Sequence, residues 1–290
     1  MIRKAGWAGG LRVLRLAGLI VTLLLAAASP QLAQSALRRG APVQALALAK
    51  NGDLLVGFGA AYEENVMSPL VAVEGDLTRV GVLQLSWAIA DRVVLEFHGD
   101  AYRALTIDNM GRPPVEPDEG LADGKSTGAG NLCVGISVLV LGDAEGFGLG
   151  GRFQFHIPSS NQAEGLGSNT TDVSVTLLGS YGSGPLIATA DAGIAILEAP
   201  LENFEQNDVI AYNAEVLYSP VAARPLRLFA GVTGRASVRS RVPVGTEDLG
   251  ELLLGADYRL GRWLIDTSGF VGYAGNSAAW GIRGGVAALF

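Results

Sequence analysis

The chain closes on Trp280-Gly-Ile-Arg-Gly-Gly-Val-Ala-Ala-Leu-Phe290. Successive side chains of an extended strand point to opposite faces. On that period Trp280, Ile282, Val286, Ala288 and Phe290 share one face, with Gly284 between them, and Arg283 falls on the other. The stretch therefore reads as a β-strand with one apolar side and one wet side.

Working upstream, the same pattern recurs. In Leu226–Val238, Leu226, Leu228, Ala230, Val232, Ala236 and Val238 oppose Arg227, Phe229, Thr233, Arg235 and Ser237. In Asp172–Tyr181, Val173, Val175, Leu177 and Tyr181 oppose Asp172, Ser174, Thr176 and Ser180. In Phe147–Ile157, Phe147, Leu149, Phe153, Phe155 and Ile157 oppose Arg152, Gln154 and His156. Alternating segments broken by Gly, Pro, Asn and Asp predict strands and exclude long amphipathic helices. Twelve strands are expected, at 53–63, 78–89, 93–107, 129–141, 147–157, 172–181, 186–198, 208–218, 226–238, 249–258, 262–272 and 278–290.

The connections are unequal. Those at Ala90–Arg92, Gly142–Gly146, Gly182–Pro185, Ser219–Pro225 and Leu260–Gly261 are short or compact. Those at Glu64–Leu77, Asp108–Gly128, Pro158–Thr171, Ala199–Asn207, Arg239–Asp248 and Tyr273–Ser277 are mostly longer and polar. An even strand count, an apolar face with a polar reverse, and short turns alternating with long loops together predict an all-β fold. The expected architecture is a transmembrane antiparallel up-and-down β-barrel with both ends periplasmic and the long loops outside. A soluble sandwich would also alternate, but without this turn asymmetry.

Composition agrees. Arg3, Lys4, Arg12 and Arg15 precede an apolar run, Leu16–Ala28, that is too short to span a bilayer, and small residues follow. That order predicts a cleaved signal peptide over 1–36. A short periplasmic leader is expected over 37–52, and the barrel over 53–290. The first 36 residues hold no acid, so their removal takes four positive charges from a chain with 21 basic and 28 acidic residues. An acidic exported chain excludes nucleic-acid binding, which needs a basic stripe. After residue 36 no run of 18 apolar residues occurs, and only helices and closed barrels satisfy backbone polar groups in lipid. Glycine, 40 of 290 residues, suits strands and tight turns. The lone cysteine, Cys133, rules out a disulfide framework and reads as a packed residue.

A terminal aromatic on an alternating strand resembles the closing strand of bacterial outer-membrane barrels, which implies that Phe290 is part of the barrel-assembly signal. The stretch from Gly128 to Tyr181 resembles a family of outer-membrane proteins assigned to transport in the meta-pathway of phenol degradation. The residues that carry it are Gly128-Ala-Gly-Asn-Leu132, then Gly146-Phe-Gly-Leu-Gly-Gly-Arg-Phe-Gln-Phe-His-Ile-Pro-Ser159, then Gly165-Leu-Gly-Ser-Asn-Thr-Thr-Asp-Val-Ser-Val175. Asn131 stands where that family often has Asp, and Pro158 is followed by Ser159-Ser160 where it often has Thr-Gly. These are turn and strand motifs, so the resemblance implies a barrel and an uptake role without naming a solute.

Several constellations bear on chemistry. Glu96, His98 and Asp100 alternate on one face, in a row about 7 Å apart. They could hold a metal with help from neighbouring strands, or form a wet wall with ion pairs. His156 shares a face with Arg152 and Gln154, and Pro158 occupies the position two residues on where a barrel lipase would keep its serine. The lumen-facing reading of His156 is therefore preferred over nucleophilic catalysis, which needs base and hydroxyl within reach. Arg227, Arg235, Arg239 and Arg241 form a basic stripe on and beyond the ninth expected strand, Glu251 and Asp257 are on the next, and Asp266 and Arg283 follow on the last two. These inward charges read as lateral ladders, as a solute-selecting constriction, or as both. The Gly-rich strings lack the Gly-Lys-Ser/Thr ending of phosphate loops, so no cofactor is expected. The lumen-lining candidates are Glu96, His98, Asp100, Arg152, Gln154, His156, Arg227, Arg235, Glu251, Asp257, Asp266 and Arg283.

The expected function is a monomeric outer-membrane channel or passive transporter for small, hydrophobic or aromatic solutes. Its partners would be lipid, the barrel-assembly machinery and the solute. The alternatives are a structural or adhesive barrel whose Asp108–Gly128 loop binds a partner, and a lipid-acting barrel enzyme.

Overall fold

A computed structural model describes residues 51–143, 146–201, 205–220 and 225–290. The expected signal peptide and all but the end of the expected leader lie outside the described residues. Thirteen strands follow one another: β1 (Leu54–Ser68), β2 (Val73–Ala90), β3 (Val93–Met110), β4 (Lys125–Gly128), β5 (Leu132–Gly142), β6 (Phe147–Ile157), β7 (Asp172–Ser183), β8 (Leu186–Glu198), β9 (Gln206–Tyr218), β10 (Leu226–Ser237), β11 (Leu249–Leu260), β12 (Trp263–Gly272) and β13 (Trp280–Leu289). Twelve long strands pair antiparallel with their neighbours, and β13 returns to β1, closing the barrel. At the seam Leu55 lies opposite Leu289 and Glu64 opposite Trp280, while the amides of Leu54 and Phe290 donate to each other's carbonyl oxygens. Closure leaves no long edge strand with unpaired backbone groups, which is what permits strands in lipid.

The outside is apolar because alternation puts every second side chain there. Leu177 is 77% exposed and Leu254 67%; Val175, Ile194, Leu252, Ile282 and Val286 are also exposed. Trp87, Phe147, Tyr181, Tyr218, Trp263 and Phe290 form an exposed aromatic ring at the turn end, the position where aromatics sit at a membrane–water boundary. Arg262 lies 5.4 Å from the Trp263 ring and 5.3 Å from the Phe290 ring.

Two sequence expectations are corrected. The first concerns Glu64–Leu77, which is not a long loop. β1 runs on to Ser68 and β2 starts at Val73, leaving a turn in which Ala72 takes a left-handed φ of 49°. A bulge makes this possible: Asn65, at φ 54°, donates its amide to Asp76, and the register shifts between Glu63 and Val66. β1, β2 and β3 are 15, 18 and 18 residues long. A bilayer needs about 9–11 residues per strand, so these three rise beyond it. Their outward residues there are polar, among them Thr78, Thr106 and Asp108.

The second concerns Asp108–Gly128, expected as a long polar loop. β3 continues to Met110, a 3-10 helical turn forms over Glu119–Asp123, and β4 pairs with the upper part of β3. Asp118 caps the turn by accepting from the Gly120 amide, and Gly124 leaves it at φ 77°, a left-handed stop suited to glycine. What anchors the segment is Leu121. With Val71, Val73, Leu77, Leu105 and Leu166 it forms a buried apolar cluster over the barrel mouth. The long strands and the segment share one cause, which is that small core.

Candidate functional site: the lumen

The β2–β3 wall changes its inward parity midway. Val80 and Leu85 both face outward although they are five positions apart, an odd step that regular alternation would put on opposite faces. The switch occurs at Gly81, at φ 64°, which lies beside Ala101 on β3 and shifts the β1–β2 register between Gly59 and Ala60. Such an interior glycine is a common seat for a bulge. Below the switch Gln84 and Ser86 face His98 and Glu96; above it Arg79 faces Arg103. Asp100 sits at the switch and holds both arginines. Arg79 donates to it from Nε at 2.9 Å and Nη2 at 2.5 Å, and reaches Glu63 from Nη1 at 2.9 Å. Arg103 donates to Asp100 from Nε at 2.8 Å and Nη2 at 2.6 Å, and to the Leu166 carbonyl oxygen from Nη1 at 2.6 Å. Asp100 is only 2% exposed. The arrangement ties the wall to the loop after β6.

Glu96, His98 and Asp100 do share an inward face, but they do not converge. Glu96 accepts from Arg152 Nη2 at 2.6 Å and from Ser137 Oγ at 2.5 Å. Asp100 is engaged as above, and His98 faces Gln84 and Cys133 across its two neighbours. Among the described residues no group of three or more His, Cys, Asp or Glu is arranged to hold a metal ion. On β6, Gln154 Nε2 lies 3.8 Å from Cys133 Sγ, and His156 Nδ1 lies 3.4 Å from Asp172 Oδ2. Ser160 Oγ is buried without a hydrogen-bond partner, so it is not bonded to His156.

On the opposite wall Arg227 forms a two-point pair with Asp257, at 2.9 and 3.1 Å, directly across β10 and β11. Asp266 is buried across from Asp257 on β12. Arg283 reaches past β12 to Glu251 on β11, at 2.8 and 3.0 Å, and its guanidinium lies 3.9 Å from the Phe270 ring centroid. Arg235 joins no ladder; its Nε donates to the Glu247 carbonyl oxygen at 2.9 Å. Arg239 and Arg241, read as the continuation of this stripe, lie beyond β10, where Arg239 pairs with Glu205 at 2.7 Å. Aromatic rings fill part of the lumen by lying on glycines. A Cβ on Gly255 would meet Phe229 at 2.2 Å, and one on Gly281 would meet Phe270 at 2.3 Å. Outside the strands, the Tyr273 hydroxyl bonds to Tyr212, and burial followed by that bond pushes its pKa up to about 12.

Between these walls lies a cavity of about 540 Å³, within the range of small-molecule sites. Leu70, Gly165, Leu166, Gly167 and Gly245 border it at the loop end. Glu96, His98, Asp100, Arg152, Gln154, His156, Arg235 and Arg283 line it; Arg227, Glu251, Asp257 and Asp266 do not. Sequence reading missed Glu63, Arg79 and Arg103, put Asp172 on a polar face without counting it as a lumen candidate, and missed the buried Asp191, Asn213 and Glu215 further toward the turn end. The available signal for Arg79 and Arg103 was a single arginine in each of two expected strands, with Gly81 inside one of them.

Neither a family model nor a curated protein sequence matches the chain. Among solved structures it is similar to the COG4313 outer membrane channel from Pseudomonas putida F1, with a TM-score of 0.58 and 14% identity over 84% of this chain and 97% of that one. The NanC porin aligns with a TM-score of 0.48 and 10% identity over 82% of this chain and 98% of that one. The translocator domain of the autotransporter NalP from Neisseria meningitidis aligns with a TM-score of 0.48 and 13% identity over 96% of both chains. The first likeness is one of fold: a closed barrel of the outer-membrane type.

Proposed function

We propose that the protein is a monomeric channel of the bacterial outer membrane through which small solutes, hydrophobic or aromatic ones among them, diffuse passively. The observation that carries this reading is the lumenal cavity of about 540 Å³, lined by charged and apolar side chains inside a barrel whose outer surface is apolar. Twelve strands lie between eight, which side chains fill, and sixteen, which leave a water channel. The resemblance of Gly128–Tyr181 to outer-membrane transport proteins supports the same reading. In this reading the turn end and Phe290 face the periplasm, Phe290 is part of the signal read by the barrel-assembly machinery, and the loop end lies outside. No catalytic step is part of it.

The test is reconstitution into planar bilayers, with conductance and solute flux measured together. Stepwise conductance and flux of small aromatic solutes are expected. A barrel that inserts yet passes neither ions nor solutes overturns the reading. A second reading, a purely structural barrel, is favoured by the ion pairs and by the Phe229 and Phe270 rings that fill part of the lumen, and it predicts that silent outcome.

A further inference from the structure

The charges around the cavity balance. Arg79, Arg103, Arg152, Arg235 and Arg283 line it together with Glu96, Asp100 and Asp172. Glu63 and Glu251 stand behind Arg79 and Arg283. Five guanidinium groups thus meet five carboxylates, and the cavity as a whole favours neither sign of charge.

What stays open is neutral. Gln154 on β6 leans over Gly135, where a Cβ would meet its Cγ at 3.1 Å. Its Nε2 has only the long 3.8 Å contact with Cys133 Sγ, and its side-chain oxygen has no hydrogen-bond partner among the described residues. Ser174, its direct neighbour across β6 and β7, has no side-chain partner there either. Both residues line the cavity half-buried. Their open atoms keep accessible surface, unlike the sealed hydroxyls of Thr176 and Ser180.

The register carries this polar pair straight into an apolar face. Gln154 lies opposite Ser174, Ser174 opposite Ala195, and Ala195 opposite Val209. Ala195, Leu197 and Ala211 border the cavity and pack with Val209. Facing side chains in such a row are about 5 Å apart. One small molecule can therefore touch the carboxamide and the aliphatic face together.

We propose that Gln154 and Ser174, with the face formed by Ala195, Leu197 and Ala211, are a binding subsite for a small uncharged amphiphile of the primary carboxamide class. Its amide head reciprocates the donor and the acceptor of Gln154, and its apolar body lies on the aliphatic face. The inference rests on the channel reading and narrows its solute class. A charged head of the same shape would have to leave water for a wall whose charges already balance.

The test uses the purified full-length barrel in detergent. Benzamide, benzoate and benzamidinium, which share one shape and differ in charge, are titrated by calorimetry and tried as blockers of ion current in bilayers. Benzamide is expected to bind about ten-fold or more tighter than either ion. Gln154→Met keeps the length of the side chain and removes its hydrogen bonds, so it should lower benzamide affinity by about the same factor. Gln154→Glu should turn the preference toward benzamidinium, a swap that a merely structural role for Gln154 does not produce. Ser174→Ala should weaken benzamide by about three-fold, and Arg239→Gln, outside the cavity, should change nothing. Folding of each variant is checked by its heat-shifted gel mobility; should Gln154→Met fail to fold, the wild-type preference and Ser174→Ala decide. Equal binding of the three solutes, binding of none, or a benzamide preference that survives Gln154→Met overturns the proposal. A barrel that conducts but shows no preference for benzamide defeats this inference and spares the channel reading; a silent barrel that binds benzamide does the reverse.

Discussion

On the β2–β3 side of the lumen, Arg79 and Arg103 close on Asp100 and Glu63 until no guanidinium nitrogen is left without a partner. Arg152 on β6 and Arg283 on β13, which flank that wall, each keep a buried Nε without a partner, and Arg235 on β10 bonds only through Nε, to a backbone carbonyl oxygen. The residue type is the same and the burial is similar, yet the two sides differ in use. The saturated side holds structure together, since it fastens the long strands to the loop after β6. The other three arginines, on separate walls, each make fewer bonds and tie fewer strands together. Inward arginines in a barrel are therefore informative only once their partners are counted.

The saturated side should be the most sensitive to mutation. Asp100→Ala would leave Arg79 and Arg103 buried without their shared carboxylate, at a cost of about 3–5 kcal/mol. Urea unfolding of the barrel in lipid measures it, and a loss below about 1 kcal/mol would break the contrast between the walls. Leu177→Arg places a charge on the lipid face near the middle of β7, and about 2–4 kcal/mol is expected in the same assay if that face meets hydrocarbon. A negligible effect there would place the barrel in water. Leu121→Ala removes the centre of the mouth cluster and should cost about 2 kcal/mol, with faster proteolysis of 111–128 as the local readout. Arg235→Gln removes one hydrogen bond, to the Glu247 carbonyl oxygen, and no direct ion pair, so its stability cost should be about 1 kcal/mol. Arg239→Gln, which breaks a half-exposed pair with Glu205, should be the mildest, at or below about 1 kcal/mol and screened by salt.

Much of the fold was legible because a strand's period of two is short and local. Leu226–Val238 shows its two faces from composition alone, and the twelve expected strands correspond to the twelve long strands of the barrel. What escaped the alternation was whatever broke it. Gly81 and Ala101 reverse the inward parity of β2 and β3, so Arg79 and Arg103 were not placed beside Asp100. Val66, Val71 and Val73 looked like loop because Asn65, Pro69 and polar neighbours interrupt the pattern; only contact with Leu105, Leu121 and Leu166 shows why that segment is ordered. The charge ladder was legible where partners face each other directly, as Arg227 and Asp257 do. It was not legible for Arg283, which passes over β12 to reach Glu251.

By itself the sequence determined the class of structure: strand period, strand number, an apolar outside and a charged inside all follow from which residue types alternate. Tertiary structure alone decided which charges neutralise one another and which stay open. Pairing depends on register, bulges and distances across a closed barrel, and those bring together residues, such as Arg79 and Asp100 or Glu96 and Arg152, that no local spacing in the chain relates.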